Sequence, residues 1–455
     1  FSMCWVITGH LMGVYLGFST NPVDVGNVIK ETWTGFLVNA YFSVDSFFFL
    51  SGLLLAFVFF KGVKKNRSQA LSPISWVMFY VHRILRLSPP YYFAIFFYTF
   101  VFTTWLYNMP AFMMPANPGG GDVCRTNWWI NILYLHNYID HEHQCYLISW
   151  YLATDLQIFL FTPLILIPLV ISPFLGVGIA FAMFAISTAA NIFEVFHYYF
   201  PPSDLDMGQR DPRAEDQTLN TYTMMMYDAP WIRCQVYIIG MLVGWFLQMK
   251  GTRMRINRVV NLVLWLLSGT MMLAVVLGLH DWVNGTQMDL GWRALYSSLS
   301  KPAWGIGLSW MVISSYYGYG GAINAFMSWN IFVPLGRLSY SAYLIHFFII
   351  MYYIGLSWVP KTYFSFTEAA LSTLIPCIFI TYALAVVWTA VFEIPFAKIE
   401  MMLIGNLRFG SRPPQTAPAA SEAQKTSSAI QDPEKFGEEI TKPLEAQNGG
   451  VSERF

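Results

Sequence analysis

The chain has 455 residues, of which 56% are hydrophobic, 18% aromatic and only 11% charged, with a formal net charge of zero. Soluble globular domains carry about 25% charged residues, so this composition excludes an ordinary soluble fold. A chain without a basic excess also lacks the electrostatic footprint of a nucleic-acid partner.

Ten apolar runs follow one another, at residues 1–18, 37–60, 89–107, 149–171, 173–196, 231–248, 259–279, 302–319, 338–355 and 369–392. Each is near the length of about 20 residues that a tilted helix needs to cross a bilayer. They predict an all-α polytopic membrane protein with about ten transmembrane helices, one domain over residues 1–400. The chain starts without Met and already inside the first run. That start predicts a fragment whose N-terminal part, with any signal peptide, is absent.

His10 is the ionisable residue of the first run. Asp45 lies in the second, within Val44-Asp45-Ser46-Phe47-Phe48-Phe49-Leu50-Ser51-Gly52. A carboxylate inside such a run is costly and needs a partner. If the two runs form a hairpin, His10 and Asp45 lie at depths differing by about 3 Å at the helical rise per residue. The reading predicts a His10–Asp45 dyad. The acid orients one ring nitrogen, and the other takes a proton from a hydroxyl or amine. The plainer reading is a polar tie between two helices. Ser51-Gly52 reads as a close-packing pair rather than a nucleophile.

Lys61, Lys64, Lys65, Arg67, Arg83 and Arg86 fill the next segment, and Lys250, Arg253, Arg255 and Arg258 the one after the sixth run. Excess Lys and Arg marks cytoplasmic loops, and ten spans put both segments on one side. Arg83 and Arg86, just before Pro89-Pro90, share a face at a helix start. There they suit either phosphate binding or plain anchoring, and without other information anchoring is preferred.

On the opposite side the loop from Asn108 to Leu147 carries Cys124 and Cys145, a disulfide candidate in an oxidising compartment. His136, His141, Glu142 and His143 of that loop lack a fourth ligand at useful spacing and read as solvated, so no metal is expected. Asp155 and Gln157 are polar residues within the fourth run, and Asp155 calls for a site or a paired cation. Asn284-Gly285-Thr286 is a glycosylation sequon on the same side as the cysteines. His346 follows Gly336-Arg337-Leu338-Ser339-Tyr340 at the expected cytoplasmic start of the ninth run, as a ligand or a satisfied helix–helix histidine. Residues 401–455 read as a cytoplasmic and largely disordered tail, poor in large apolar residues from Gly410 onward.

The motifs together resemble the membrane acyltransferase-3 family and, within it, the animal branch named for nose resistance to fluoxetine. Thr8-Gly9-His10, the Val44–Gly52 block, His82-Arg83-Ile84-Leu85-Arg86-Leu87-Ser88-Pro89-Pro90-Tyr91, Trp150-Tyr151-Leu152-Ala153-Thr154-Asp155-Leu156-Gln157 and Leu335-Gly336-Arg337-Leu338-Ser339-Tyr340-Ser341-Ala342-Tyr343-Leu344-Ile345-His346 match in order. Glu393-Ile394-Pro395 matches the closing Glu-x-Pro. The resemblance implies a ten-helix transferase that moves an acyl group, other than an aminoacyl group, from cytoplasmic acyl-CoA to a hydroxyl or amine acceptor. It implies His10 and Asp45 as catalytic, and Arg83 and Arg86 on the donor's phosphates. Asp155, Gln157, Arg337, Ser339, Tyr340 and His346 are further site candidates. Asp155 departs from the family's usual Glu. A lumenal N-terminal domain precedes the helices in that branch.

No bound cofactor is expected, with acyl-CoA as co-substrate and membrane lipids as surroundings. The membrane is the plasma membrane or the endoplasmic reticulum. The competing reading is a transporter or lipid- and drug-handling protein that kept the fold, since intramembrane charges serve transport equally well.

Overall fold

A computed structural model of the chain describes residues 1–28, 30–31, 35–107, 121–203, 211–214 and 218–409. The regular structure among these residues is helical. Ten helices carry the ten apolar runs: α1 (Ser2–Phe18), α2 (Tyr41–Lys65), α3 (Pro73–Phe97), α4 (Leu147–Ile171), α5 (Pro173–Tyr198), α6 (Pro230–Lys250), α7 (Arg258–Leu277), α8 (Leu290–Tyr316), α9 (Phe332–Gly355) and α10 (Ile375–Trp388). A wide turn at Tyr98–Phe102 prolongs α3 to Tyr107. Seven stretches, containing α2, α4, α5, α6, α7, α9 and α10, are long and apolar enough to cross a membrane by length and composition. α1 is shorter, at 17 residues. The fold is that of an all-α polytopic membrane protein.

Two helices begin more than ten residues before their apolar runs. α3 starts at Pro73, where Ser72 caps it by accepting from Ser75 N at 3.3 Å and Pro supplies the first-turn geometry. α8 starts at Leu290, where Asp289 accepts from Gly291 N at 3.1 Å. In α3 His82, Arg83 and Arg86, and in α8 Arg293, Ser297, Ser298, Ser300 and Lys301, interrupt the apolar pattern before the runs begin. Arg83 and Arg86 therefore sit inside α3 rather than at its start, which corrects that expectation. Pro89 and Pro90 interrupt the helix's own ladder, and the Tyr340 hydroxyl of α9 reaches the Leu87 carbonyl beside them, at 2.5 Å.

The two basic segments lie at one end of the helices. Lys64 donates to the Gln248 carbonyl and Arg67 Nη2 to the Val170 carbonyl, the latter at 2.9 Å, so the last turns of α2, α4 and α6 meet there. At the other end Cys124 and Cys145 are joined, with 4.3 Å between their Cα atoms. Their loop is not the solvated segment expected. His136 is buried with Nε2 3.0 Å from Ser149 Oγ, and His141 is buried with Nε2 2.9 Å from Asp228 Oδ2 and Nδ1 against Asn220. Burial depresses the His141 imidazolium, but its hydrogen bonds to Asp228 and Asn220 outweigh that and leave it raised above 6.5. Glu142 and His143 match the expectation, both exposed, with His143 2.7 Å from Asp140 Oδ1. The polarity of the loop suggested solvent, whereas the disulfide folds it back over the start of α4. Among the described residues no group of three metal-binding side chains forms.

The tightest packing joins α2 to α6, which run in the same direction. A Cβ on Gly240 would lie 2.1 Å from the Phe49 carbonyl oxygen, one on Gly244 2.2 Å from that of Leu53, and one on Gly52 2.2 Å from that of Tyr237. Gly240-Met241-Leu242-Val243-Gly244 puts both glycines on one helix face. In lipid, where no hydrophobic force drives helices together, such backbone approach is what holds them. Gly52 packs closely as the sequence indicated, while its neighbour Ser51 accepts from Arg83 at 3.1 Å.

The chain divides into two units, Phe1–Glu400 and Met401–Phe455. The tail expected to be disordered, residues 410–455, lies outside the described residues. Overpacking a tight contact costs about 1–3 kcal/mol, so Gly240→Ala is expected to lower the melting temperature of the detergent-solubilised protein. Gly178→Ala in α5, whose Cβ meets no atom within 4 Å, leaves it unchanged. Equal melting of the two variants would remove the seam from the account.

Candidate functional site

α1 carries one ionisable side chain in its middle, His10, half-buried among apolar neighbours. Its Nδ1 lies 2.8 Å from His346 Nε2, and the two rings stack with centroids 5.0 Å apart. Phe347 stands edge-on to His10, at 6.0 Å. His346 is fully buried, and its Nδ1 lies 2.6 Å from the Tyr343 carbonyl oxygen. α1 and α9 run in the same direction, because Phe1 stacks on Phe332 and His10 on His346. His346 therefore sits about four helical turns into α9 rather than at its start. The Gly336–Tyr340 block that precedes it is already helical. Two residues expected separately form one pair.

Asp45 is elsewhere. Gly9 packs against Ala40 so closely that a Cβ there would lie 2.6 Å from Ala40 Cβ. The level of His10 therefore matches the residue before α2, and Asp45 lies five residues, about 7 Å of helical rise, further on. The hairpin estimate of depth failed because the connection re-enters through residues 35–40 before α2 starts. Both Asp45 oxygens are instead held by Arg233 Nη1, at 2.9 and 3.1 Å, with both side chains completely buried. Arg233 Nε donates to the Tyr227 carbonyl at 2.8 Å, and its guanidinium lies over the Tyr227 and Trp150 rings. Sequence reading missed Arg233. Its trace was a cation inside the sixth apolar run, which needed an anion just as Asp45 needed a cation.

Arg83 turns inward from α3. Its Nη2 pairs with Asp155 Oδ2 of α4 and donates to Ser51 Oγ of α2 at 3.1 Å, with its guanidinium 4.9 Å from the Phe159 ring centroid. Asp155 thus has the paired cation that its position called for. Arg86, one turn on, is exposed. The shared face splits into one committed and one accessible guanidinium.

The remaining candidates serve the packing around these groups. Gln157 clamps the loop before α4 through Asn137 and the Tyr134 carbonyl, each at 2.8 Å. Ser339 bonds the Leu335 carbonyl of its own helix at 3.0 Å, Tyr340 holds α3, and Arg337 is exposed. Asn284 is exposed, its amide donating to the carbonyls of Lys30 and His280.

Removing one partner of a buried ion pair leaves an uncompensated charge and costs about 3–5 kcal/mol, whereas replacing both by apolar groups is often neutral. Arg233→Met is therefore expected to abolish a cooperative thermal transition. Asp45→Leu combined with Arg233→Met restores most of it, and a double variant as unstable as the single one would contradict the pairing.

The family described as "Acyltransferase domain", the third acyltransferase family, matches residues 1–392. The chain is 31% identical over 428 residues to nose resistant to fluoxetine protein 6 of Caenorhabditis elegans, covering 89% of this chain and 50% of that protein. The chain thus spans about half the length of the curated relative it matches. No solved structure matches it.

Proposed function

The chain belongs to the acyltransferase-3 family, and on that premise we propose that it is a membrane acyltransferase with His10 as its general base. One observation carries the reading: a histidine in the middle of the helices has one ring nitrogen engaged by His346 and the other held by no described residue. A group placed this way can take a proton inside the membrane, where no bulk water competes for it. The reaction has four movements. His10 Nε2 removes the proton of an acceptor hydroxyl or amine. The acceptor's lone pair bonds to the thioester carbonyl carbon of an acyl-CoA. The carbon–sulfur bond then breaks, and the departing thiolate recovers the proton from His10.

With the basic end cytoplasmic, the donor approaches Arg86, which is exposed and suits phosphate through its planar fork. Arg83, neutralised by Asp155, holds α3 in place beneath it. Asp45 acts through Arg233 as the tie of α2 to α6 and leaves the proton transfer to His10. An apolar groove of about 480 Å³, lined by Phe97, Phe102, Phe348, Tyr352, Trp388 and Phe392, runs along α9 past Ile345, the neighbour of His346. It suits an acyl chain or a lipophilic acceptor. The opposite end, with the disulfide and Asn284, faces the lumen or exterior of the endoplasmic reticulum or plasma membrane. There the sequon accepts a glycan, and the tail is cytoplasmic.

The same groove supports the competing reading, transport of a lipophile without chemistry. Purified protein in nanodiscs with radiolabelled acetyl-CoA separates the two. Hydrolysis or transfer by the wild type that is lost in His10→Ala establishes the enzyme. Uptake of a labelled lipophile into proteoliposomes without acyl-CoA, retained in His10→Ala, would instead favour transport. A charge-assisted contact to phosphate is worth about tenfold or more in affinity. Arg86→Ala is therefore expected to raise KM for acetyl-CoA by about that factor with kcat unchanged, and an unchanged KM would remove Arg86 from the donor site.

A further inference from the structure

We propose that His346 is the positioning residue of His10: it fixes the proton of His10 on Nδ1 and so leaves Nε2 as the basic atom. This rests on the reading of His10 as base and adds what orients it. The argument starts from a backbone carbonyl. The Tyr343 oxygen can only accept a hydrogen bond, so His346 Nδ1, 2.6 Å away, carries the proton. A neutral imidazole protonated at Nδ1 has a bare Nε2, which can only accept. His346 Nε2 faces His10 Nδ1 at 2.8 Å, too close for two bare nitrogens, so His10 Nδ1 carries a proton and donates it. His10 has then one bare nitrogen left, Nε2, and no described residue occupies it. Carbonyl, imidazole and imidazole form a chain with a single polarity.

A protonated His346 would break this sequence, but the pair has no anion to sustain it. Asp45 is committed to Arg233, Asp155 to Arg83, and no carboxylate of a described residue bonds either ring. The fully buried His346 would be an uncompensated charge. The position of His346 is itself fixed from outside its helix. The Tyr343 hydroxyl donates to the Ile148 carbonyl, and the Tyr146 hydroxyl donates to that of Leu344 at 2.8 Å. Both bonds clamp this turn of α9 to the beginning of α4. The arrangement orients a base as a carboxylate does in hydrolase triads, with a neutral acceptor in the carboxylate's place.

The first test needs no turnover. Among the eight histidines of the chain, the ¹⁵N signals of His10 are identified in ¹⁵N-histidine-labelled protein by their loss in His10→Gln. The expected spectrum shows a protonated Nδ1 and a bare Nε2 for His10. A proton on Nε2 instead would overturn the inference even if His10 proves to be the base. The second test uses acetyl-CoA turnover in nanodiscs. Losing the correct tautomer of a catalytic base costs on the order of 10²–10⁴ in rate. His346→Leu is therefore expected to lower kcat by at least about 10²-fold with KM for acetyl-CoA unchanged. His346→Gln, whose amide oxygen can accept from His10 Nδ1, is expected to stay within about tenfold of wild type. Wild-type kcat in His346→Leu, or equal loss in the Leu and Gln variants with both proteins folded, would overturn it. Retained turnover in His10→Ala would overturn the base assignment instead, and the spectrum would still report the tautomer.

Discussion

The buried Asp45–Arg233 ion pair is the constraint on which the arrangement of helices depends. It joins α2 to α6 at a point where both side chains are completely buried and one guanidinium nitrogen, Nη1, reaches both carboxylate oxygens. From that point the glycine seam continues toward the basic end, with Gly52, Gly240 and Gly244 each admitting a carbonyl of the facing helix. The pair fixes register and the glycines fix distance. Trp304 of α8 then closes on the same region, donating from its indole nitrogen to Ser46 Oγ at 2.9 Å and stacking on Phe42.

Polar groups within the helices divide into three kinds. Asp45 with Arg233, and Asp155 with Arg83, neutralise one another and hold four helices together. Tyr146, Tyr340 and Tyr343 spend their hydroxyls on backbone carbonyls of neighbouring helices. His10 and His346 are different, bonded to each other with His10 Nε2 held by no described residue. That spare capacity is what the proposed role of His10 as base rests on. This division also explains why α3, broken by two prolines, remains a usable wall: Tyr340 of α9 bonds it where its own ladder fails.

Much of the fold was legible because membrane helices announce themselves by apolar length, and the ten runs each carry a helix. The starts of α3 and α8 were hidden because Arg83 and Arg86 in one, and Arg293 and Lys301 in the other, separate the first turns from the apolar run. At the site, His10, Asp45, Asp155 and His346 were recognisable as ionisable groups in apolar surroundings. Their partners were not. Helix pairing in a bundle depends on which distant segments touch, and a hairpin between consecutive runs was a poor guide once residues 35–40 re-entered the helices. Arg233 lies 188 residues from Asp45 along the chain, a separation that no local pattern expresses. His136 and His141 misled for a related reason, since a disulfide, not the polarity of their loop, decides their burial.

That separation bears on how the protein is made. A ribosome adds roughly 5–20 residues per second, so Asp45 is synthesised about ten to forty seconds before Arg233 exists. Throughout that interval α2 carries an acid whose cation has not yet been made. A carboxylate in apolar surroundings is costly until its cation is present. The arrival of α6 then does two things in one event, pairing that acid and closing the glycine seam. Assembly of the first half of the bundle is consequently tied to completion of its sixth helix, and a chain interrupted before Arg233 would carry an acid with no cation to meet it.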